Sequence, residues 1–148
     1  MVTTELEPVV LSVEVALPVE EAFRLFTEQM HSWWPVARHS IGEEKVGTVV
    51  FEDRVGGRVF ERWHEGAEAD WADILEWDPP HRFRLAWHPN DSGLSTDVEV
   101  SFSAADAGTK VLLTHRGWET LGADARAARE SYSGGWVGVL ELYRRSAG

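Results

Sequence analysis

Three ionisable residues stand where their neighbours make a strand face apolar. In RVFERW, Glu61 falls between Val59 and Trp63; in ADWADILEW, Asp73 falls between Trp71 and Leu75; in KVLLTH, His115 follows Leu113. Residues two apart share one face of a strand, so each of these groups is expected among apolar neighbours. If Trp63 pairs with Trp71 across the hairpin, Glu61 lies opposite Asp73. Two carboxylates so placed repel unless one holds a proton or a cation intervenes. A carboxyl with its pKa raised in a pocket is suited to general acid or base work. The competing structural reading pairs these acids with Arg58, Arg62, Arg82 or Arg84, and Phe60, on the other parity, leaves the inward face of its strand open. Asp73, Glu61 and His115 are acid–base candidates, and no residue is assigned a catalytic role.

Other chemistries lack their residues. Six histidines are present, yet none stands at i, i+4 on a helical stretch, and HEG at 64–66 is not the zinc-binding HExxH. No metal is expected. The chain has no cysteine, which removes disulfides and thiolate nucleophiles, and no serine sits in a GxSxG elbow. GxGxxG and phosphate-loop patterns are absent as well, so no cofactor is expected.

Binding has more to work with. The chain carries eight tryptophans, two of them adjacent in HSWWPVARHS at 31–40. An indole brings a large apolar surface and one N–H that needs a partner when buried, so a core built from several leaves gaps between rings. Trp33 continues a helical stripe and is expected to anchor the first helix. Trp34, turned about 100° from it, is expected at a pocket mouth.

The elements that must position these residues are read from periodicity. VVLSVEVAL alternates Val9, Leu11, Val13, Val15 and Leu17 on one face, a half-buried strand that Pro18 ends. Ala22, Phe23, Phe26, Met30 and Trp33 predict a helix of about 12–14 residues stopped by Pro35. From 46 to 115 the pattern is six short strands with turn signals between them. ADWADILEW is expected to hold Trp71, Asp73, Leu75 and Trp77 on one face. RFRLAW presents Phe83, Leu85 and Trp87, STDVEVSF presents Thr96, Val98, Val100 and Phe102, and KVLLTH presents Val111, Leu113 and His115. Ala125, Ala128, Tyr132, Trp136, Leu140 and Tyr143 predict a long C-terminal helix with a basic last turn, in which Gly134 and Gly135 permit a close approach to the sheet or a bend. One helix about 10 Å wide does not fill a concave wall of seven strands, so a pocket between them is expected.

At 148 residues the chain is read as one domain, 1–148, with residues 1–7 frayed. A formal net charge of −11 repels phosphate backbones and anionic membrane surfaces, so neither nucleic acid nor membrane is an expected partner. The N-terminus lacks the positive charge of a signal peptide, and no apolar run reaches the roughly 18–20 residues of a membrane span. A cytoplasmic location and a monomer or weak homodimer are the expectations.

This order of elements, with LPVEEAFRLFT at 17–27, WWPVARHSIG at 33–42, VGGRVFER at 55–62, ILEWDPPHRFRLAW at 74–87, LLTHRGWETLG at 112–122 and SGGWVGVLELY at 133–143, resembles the SRPBCC (START-like, helix-grip) superfamily. Within it the chain is similar to the bacterial branch that resembles the activator of heat-shock-protein-90 ATPase. The resemblance implies an α+β helix-grip fold, a curved antiparallel seven-stranded sheet around a long C-terminal helix with short helices after the first strand. It also implies an apolar or aromatic ligand between helix and sheet. VARHSIG resembles the loop over the cavity mouth, where Arg38 and His39 either meet a ligand's polar end or stay solvated. Members that stimulate a chaperone ATPase carry a further domain that this sequence lacks, so a co-chaperone role is not expected. The expected ligand-binding residues are Trp34, His39, Trp71, Asp73, Trp87, Val98, Val100, Leu113, His115, Trp118, Tyr132 and Trp136. The leading expectation is a non-catalytic binder of a small hydrophobic or aromatic molecule. The alternatives are a polyketide cyclase- or hydrolase-like enzyme using pocket acid or base residues, and a sequestering or self-sacrificing resistance protein against a reactive natural product.

Overall fold

A computed structural model describes residues 6–35, 41–89 and 94–147. In chain order the elements are β1 (Val9–Val15), α1 (Val19–Phe26), short 3-10 turns at Met30–Ser32 and Glu43–Lys45, β2 (Val46–Phe51), β3 (Arg58–Trp63), β4 (Glu68–Asp78), β5 (Arg82–Trp87), β6 (Thr96–Ala105) and β7 (Gly108–Arg116). A 3-10 segment at Trp118–Asp124 then leads into α2 (Ala125–Ser146). The seven strands form one antiparallel sheet in the order β1-β7-β6-β5-β4-β3-β2. It curls around α2, which is the expected helix-grip architecture.

Alternation accounts for most of the inner face. Val98, Val100 and Phe102 of β6, Phe83, Leu85 and Trp87 of β5, and Val111, Leu113 and His115 of β7 are all buried. They meet in register, Leu85 beside Val98 and Val100 beside Leu113. On the convex face the intervening residues form a charged lattice. Arg82 reaches Glu76 and Glu99, Arg84 reaches Glu76 and Asp97, and Arg116 reaches Glu99.

β4 departs from simple alternation. Its register shifts against β3 between Val59 and Phe60, and against β5 between Ile74 and Glu76. Each extra residue reverses the parity of the residues beyond it. Trp71, Ala72 and Ile74 are buried, whereas Asp73 and Leu75 are exposed. The expected single face of Trp71, Asp73, Leu75 and Trp77 is therefore not formed.

The first helix is also shorter than its apolar stripe suggests. Thr27 ends it at φ −96°, ψ −83°. Its hydroxyl and its backbone N–H both donate to the Phe23 carbonyl, at 2.8 and 3.1 Å, and the Gln29 N–H reaches back to the Arg24 carbonyl. A hydroxyl competing for the i−4 carbonyl loosens the last turn. Met30 and Trp33 still reach the core from the 3-10 turn, and the Trp33 indole N–H caps the freed Leu25 carbonyl at 2.8 Å.

The C-terminal half of α2 is plugged into an aromatic cluster. Tyr143 lies 5.0 Å from Phe26 and 5.2 Å from Trp33, centroid to centroid, and its hydroxyl donates to the Ala22 carbonyl at 2.8 Å. Phe23, Phe51, Trp77, Phe83 and Phe102 extend the cluster beneath α1.

Candidate functional site

Between the middle of α2 and the adjoining ends of β4 and β5 lies a cavity of about 340 Å³. Its helix wall is Ser131, Tyr132, Gly135, Trp136 and Val139. Tyr132, Gly135, Trp136 and Val139 have the i, i+3, i+4, i+7 spacing of one helix face. The sheet wall is Trp71 and Trp87, brought together because Trp87 at the end of β5 pairs with Ala72 near the start of β4. Trp34, Ile41 and Pro89 complete the lining from the loops.

The rings form a continuous aromatic surface. Trp34 lies 4.9 Å from Trp71 and 6.0 Å from Trp136, and Trp87 lies 5.5 Å from Trp136. Tyr132 stacks on Trp136 at 6.4 Å with 27° between planes. Hydrogen bonds to the protein hold Trp71, Trp87 and Trp136 by their indole N–H groups. Trp71 donates to Glu61, Trp87 to the Tyr132 hydroxyl, and Trp136 to His115 Nδ1, at 2.7, 3.0 and 3.0 Å. A ring held by both packing and a hydrogen bond keeps one orientation, which is what a preorganised binding wall requires.

Glu61 is the anchor behind that wall. It is 0% exposed and receives four N–H groups: Oε1 from Ile41 N and Trp71 Nε1, Oε2 from Gly42 N and Trp63 Nε1, all at 2.6–2.7 Å. Such a set fits an ionised carboxylate, which accepts but does not donate. Among the described residues no cation forms an ion pair with it. Position 42 has to be glycine for this geometry: a Cβ there would come within 2.5 Å of Trp63 Nε1 and 3.0 Å of Glu61 Oε2.

His115 is equally buried and equally committed. Trp136 N–H donates to its Nδ1, so that nitrogen carries the lone pair, and Nε2 carries the proton and points at Thr96 Oγ1, 2.6 Å away. Burial pushes its pKa down to about 3. It is a neutral core histidine with its basic nitrogen occupied.

Asp73 corrects the sequence expectation. The β4 bulges turn it out of the cavity to the convex side, exposed, where it lies 3.0 Å from His88 Nε2. Glu61 pairs with Ala69 and Asp73 with Arg58 in the β3–β4 ladder, so the two carboxylates do not face one another. The arginines expected to pair these acids serve others: Arg58 binds Asp70 and Glu68, Arg62 binds Glu68, and Arg82 donates to Glu76, holding that carboxyl below its usual range.

Of the expected ligand-binding residues, Trp34, Trp71, Trp87, Tyr132 and Trp136 come together around the cavity. Val98, Val100, Leu113 and His115 are inward but buried in the core and absent from the lining. Trp118 lies behind Tyr132, packed against His115 with ring centroids 4.1 Å apart. His39, with Arg38, lies outside the described residues. Ile41, Pro89, Ser131, Gly135 and Val139 line the cavity without having been expected there; for Gly135 and Val139 the signal is their helical spacing to Tyr132 and Trp136.

A second hollow of about 270 Å³ lies at the other end of the molecule, against α1 and the β4–β5 turn, with Phe23, Trp77 and Pro80 in its wall and Glu20, Glu28 and Asp53 at its edges. Among the described residues no His, Asp or Glu cluster is arranged to hold a metal ion, and no helix is long and apolar enough to cross a membrane.

Comparison with known proteins places this geometry. The family model described as "Activator of Hsp90 ATPase homolog 1-like protein" matches residues 16–141. Among solved structures, one titled as the anthrahydroquino-gamma-pyrone synthase Txn09, complexed with a compound designated SUM, is 36% identical, with 83% of this chain and 84% of that chain covered and a TM-score of 0.58. A Bacillus halodurans protein is similar at 17% identity, covering 99% and 100% of the two chains with a TM-score of 0.69. DynU16, titled a putative protein in the dynemicin biosynthetic locus, is 16% identical, with 94% of this chain and 46% of that one covered and a TM-score of 0.68. No curated protein matches the chain in sequence.

Proposed function

The chain belongs to the family of Activator of Hsp90 ATPase homolog 1-like proteins, and on that premise we propose that it binds a flat apolar or aromatic small molecule in the cavity between α2 and the sheet. The observation that carries this reading is the lining: Trp34, Trp71, Trp87 and Trp136 around about 340 Å³, with the Trp71, Trp87 and Trp136 N–H groups turned to protein acceptors. That volume is at the lower end of small-molecule sites, about 300–1,000 Å³. Affinity comes from apolar burial, with ring-on-ring contacts adding about 0.5–1.5 kcal/mol each.

The reading is of a binder because the candidate acid–base groups are engaged elsewhere. Glu61 is fully hydrogen-bonded behind the wall, His115 Nδ1 is occupied, and Asp73 faces away. A second reading, ring closure on an aromatic polyketide, draws support from the 36% identity to a chain titled a pyrone synthase. In that case the cavity contributes by folding and holding the substrate in a reactive shape.

Tryptophan fluorescence tests the first reading. Titration with planar aromatic compounds is expected to give saturable quenching, and Gly135→Phe, which puts a ring into the cavity from α2, is expected to abolish it while the protein stays folded. Saturable quenching that survives Gly135→Phe unchanged, or none across a diverse aromatic panel, would overturn the reading.

A further inference from the structure

We infer that the Tyr132 hydroxyl is a directed hydrogen-bond donor inside the cavity, and that it selects neutral aromatic ligands bearing a ring carbonyl over hydrocarbons of the same outline. The inference rests on the binding reading above and adds the polar part of the recognition.

Three indole donors of the lining are already committed. Trp71, Trp87 and Trp136 donate to Glu61, Tyr132 and His115. The Ile41 N–H donates to Glu61, and Pro89 has no N–H. Tyr132 differs. A phenol carries one proton and can accept as well. Its oxygen accepts the Trp87 N–H at 3.0 Å, and among the described residues nothing accepts its proton. Accepting a hydrogen bond polarises an O–H and strengthens it as a donor, so Trp87 primes this group rather than silencing it. Burial pushes the phenol pKa above its ordinary value, with the Trp87 bond opposing, and so keeps the proton in place.

A donor selects an acceptor. No Lys or Arg is among the described residues of the lining, and the chain's net charge is −11, so a carboxylate or phosphate would meet no compensating charge there. A neutral carbonyl oxygen in the plane of an aromatic system satisfies both requirements: its ring slides between indole faces while its oxygen meets the phenol. Tyr132 is thereby a specificity-determining residue.

Fluorenone and fluorene, planar tricycles of the same outline that differ by one carbonyl, are the probes. In the wild type, fluorenone is expected to bind about fivefold or more tightly than fluorene, the factor one net hydrogen bond supplies. Tyr132→Phe combined with Trp87→Phe, which also removes the indole donor that the single change would release, is expected to cancel that preference. A measurement independent of any variant is the infrared carbonyl stretch of bound fluorenone, expected at lower frequency than in an apolar solvent. Equal wild-type affinities with an unshifted carbonyl band would overturn this inference and leave the aromatic-binding reading standing. Binding of neither probe would overturn both.

Discussion

At the scale of single residues, two polar groups that look like catalysts in the sequence are buried and hydrogen-bonded on both polar atoms. Glu61 holds Trp71 and the Ile41–Gly42 backbone in place with hydrogen bonds to four donors. Glu61→Gln keeps the shape but replaces one acceptor oxygen by an NH2 facing N–H donors. The expected cost is about 2–3 kcal/mol of stability, read from urea midpoints, with weakened aromatic binding; a change below about 0.5 kcal/mol would contradict the anchoring role. His115 makes a pH prediction. Its folded pKa of about 3 lies below the ordinary 6.5, so under acid the unfolded chain takes up a proton that the folded chain refuses. Stability therefore falls as pH drops from 6.5 toward 3, by about 1.4 kcal/mol per pH unit from this group. Comparing urea midpoints of wild type and His115→Gln at several pH values is expected to show a shallower acid slope in the variant. Parallel slopes would refute the assignment.

At the scale of elements, the sequence is most legible where strands and helices run without interruption. β5, β6 and β7 present the residues that alternation assigns to the interior, and α2 presents Tyr132, Trp136, Leu140 and Tyr143 on one side. β4 is not legible in this way because its two register shifts leave no mark in the pattern of residue types; they turn Trp71 in and Asp73 out. The apolar stripe overstates α1 because Met30 and Trp33 keep the helical spacing while the Thr27 hydroxyl ends the helix itself. α2 carries its own test. A Cβ at Gly134 would meet nothing within 4 Å, so no close approach to the sheet requires glycine there. Gly134→Ala is expected to raise stability by about 0.4–1 kcal/mol in urea unfolding, through a less disordered unfolded chain and better helix propensity; a loss of stability would mean that α2 bends at this point.

At the scale of the whole molecule, alternation names the face a residue points to but not what covers that face. On that basis Val98, Val100, Leu113 and His115 would meet the ligand, yet they lie in solid core. The cavity instead occurs where the middle of α2 stands over the meeting ends of β4 and β5. Its position depends on how the helix crosses the sheet, a tertiary property that residue periodicity does not carry. The molecule thus has an aromatic end, pinned by Tyr143 to α1 with a hollow of about 270 Å³ beside it, and an indole-lined cavity of about 340 Å³ at the opposite end. The measurement that tests this division most directly is two-dimensional NMR of the tryptophan indole N–H groups during titration with a planar aromatic compound. The expected result is saturable shifts of the Trp71, Trp87 and Trp136 signals with Trp77, at the opposite hollow, unmoved; shifts confined to Trp77, or none at the first three, would contradict it.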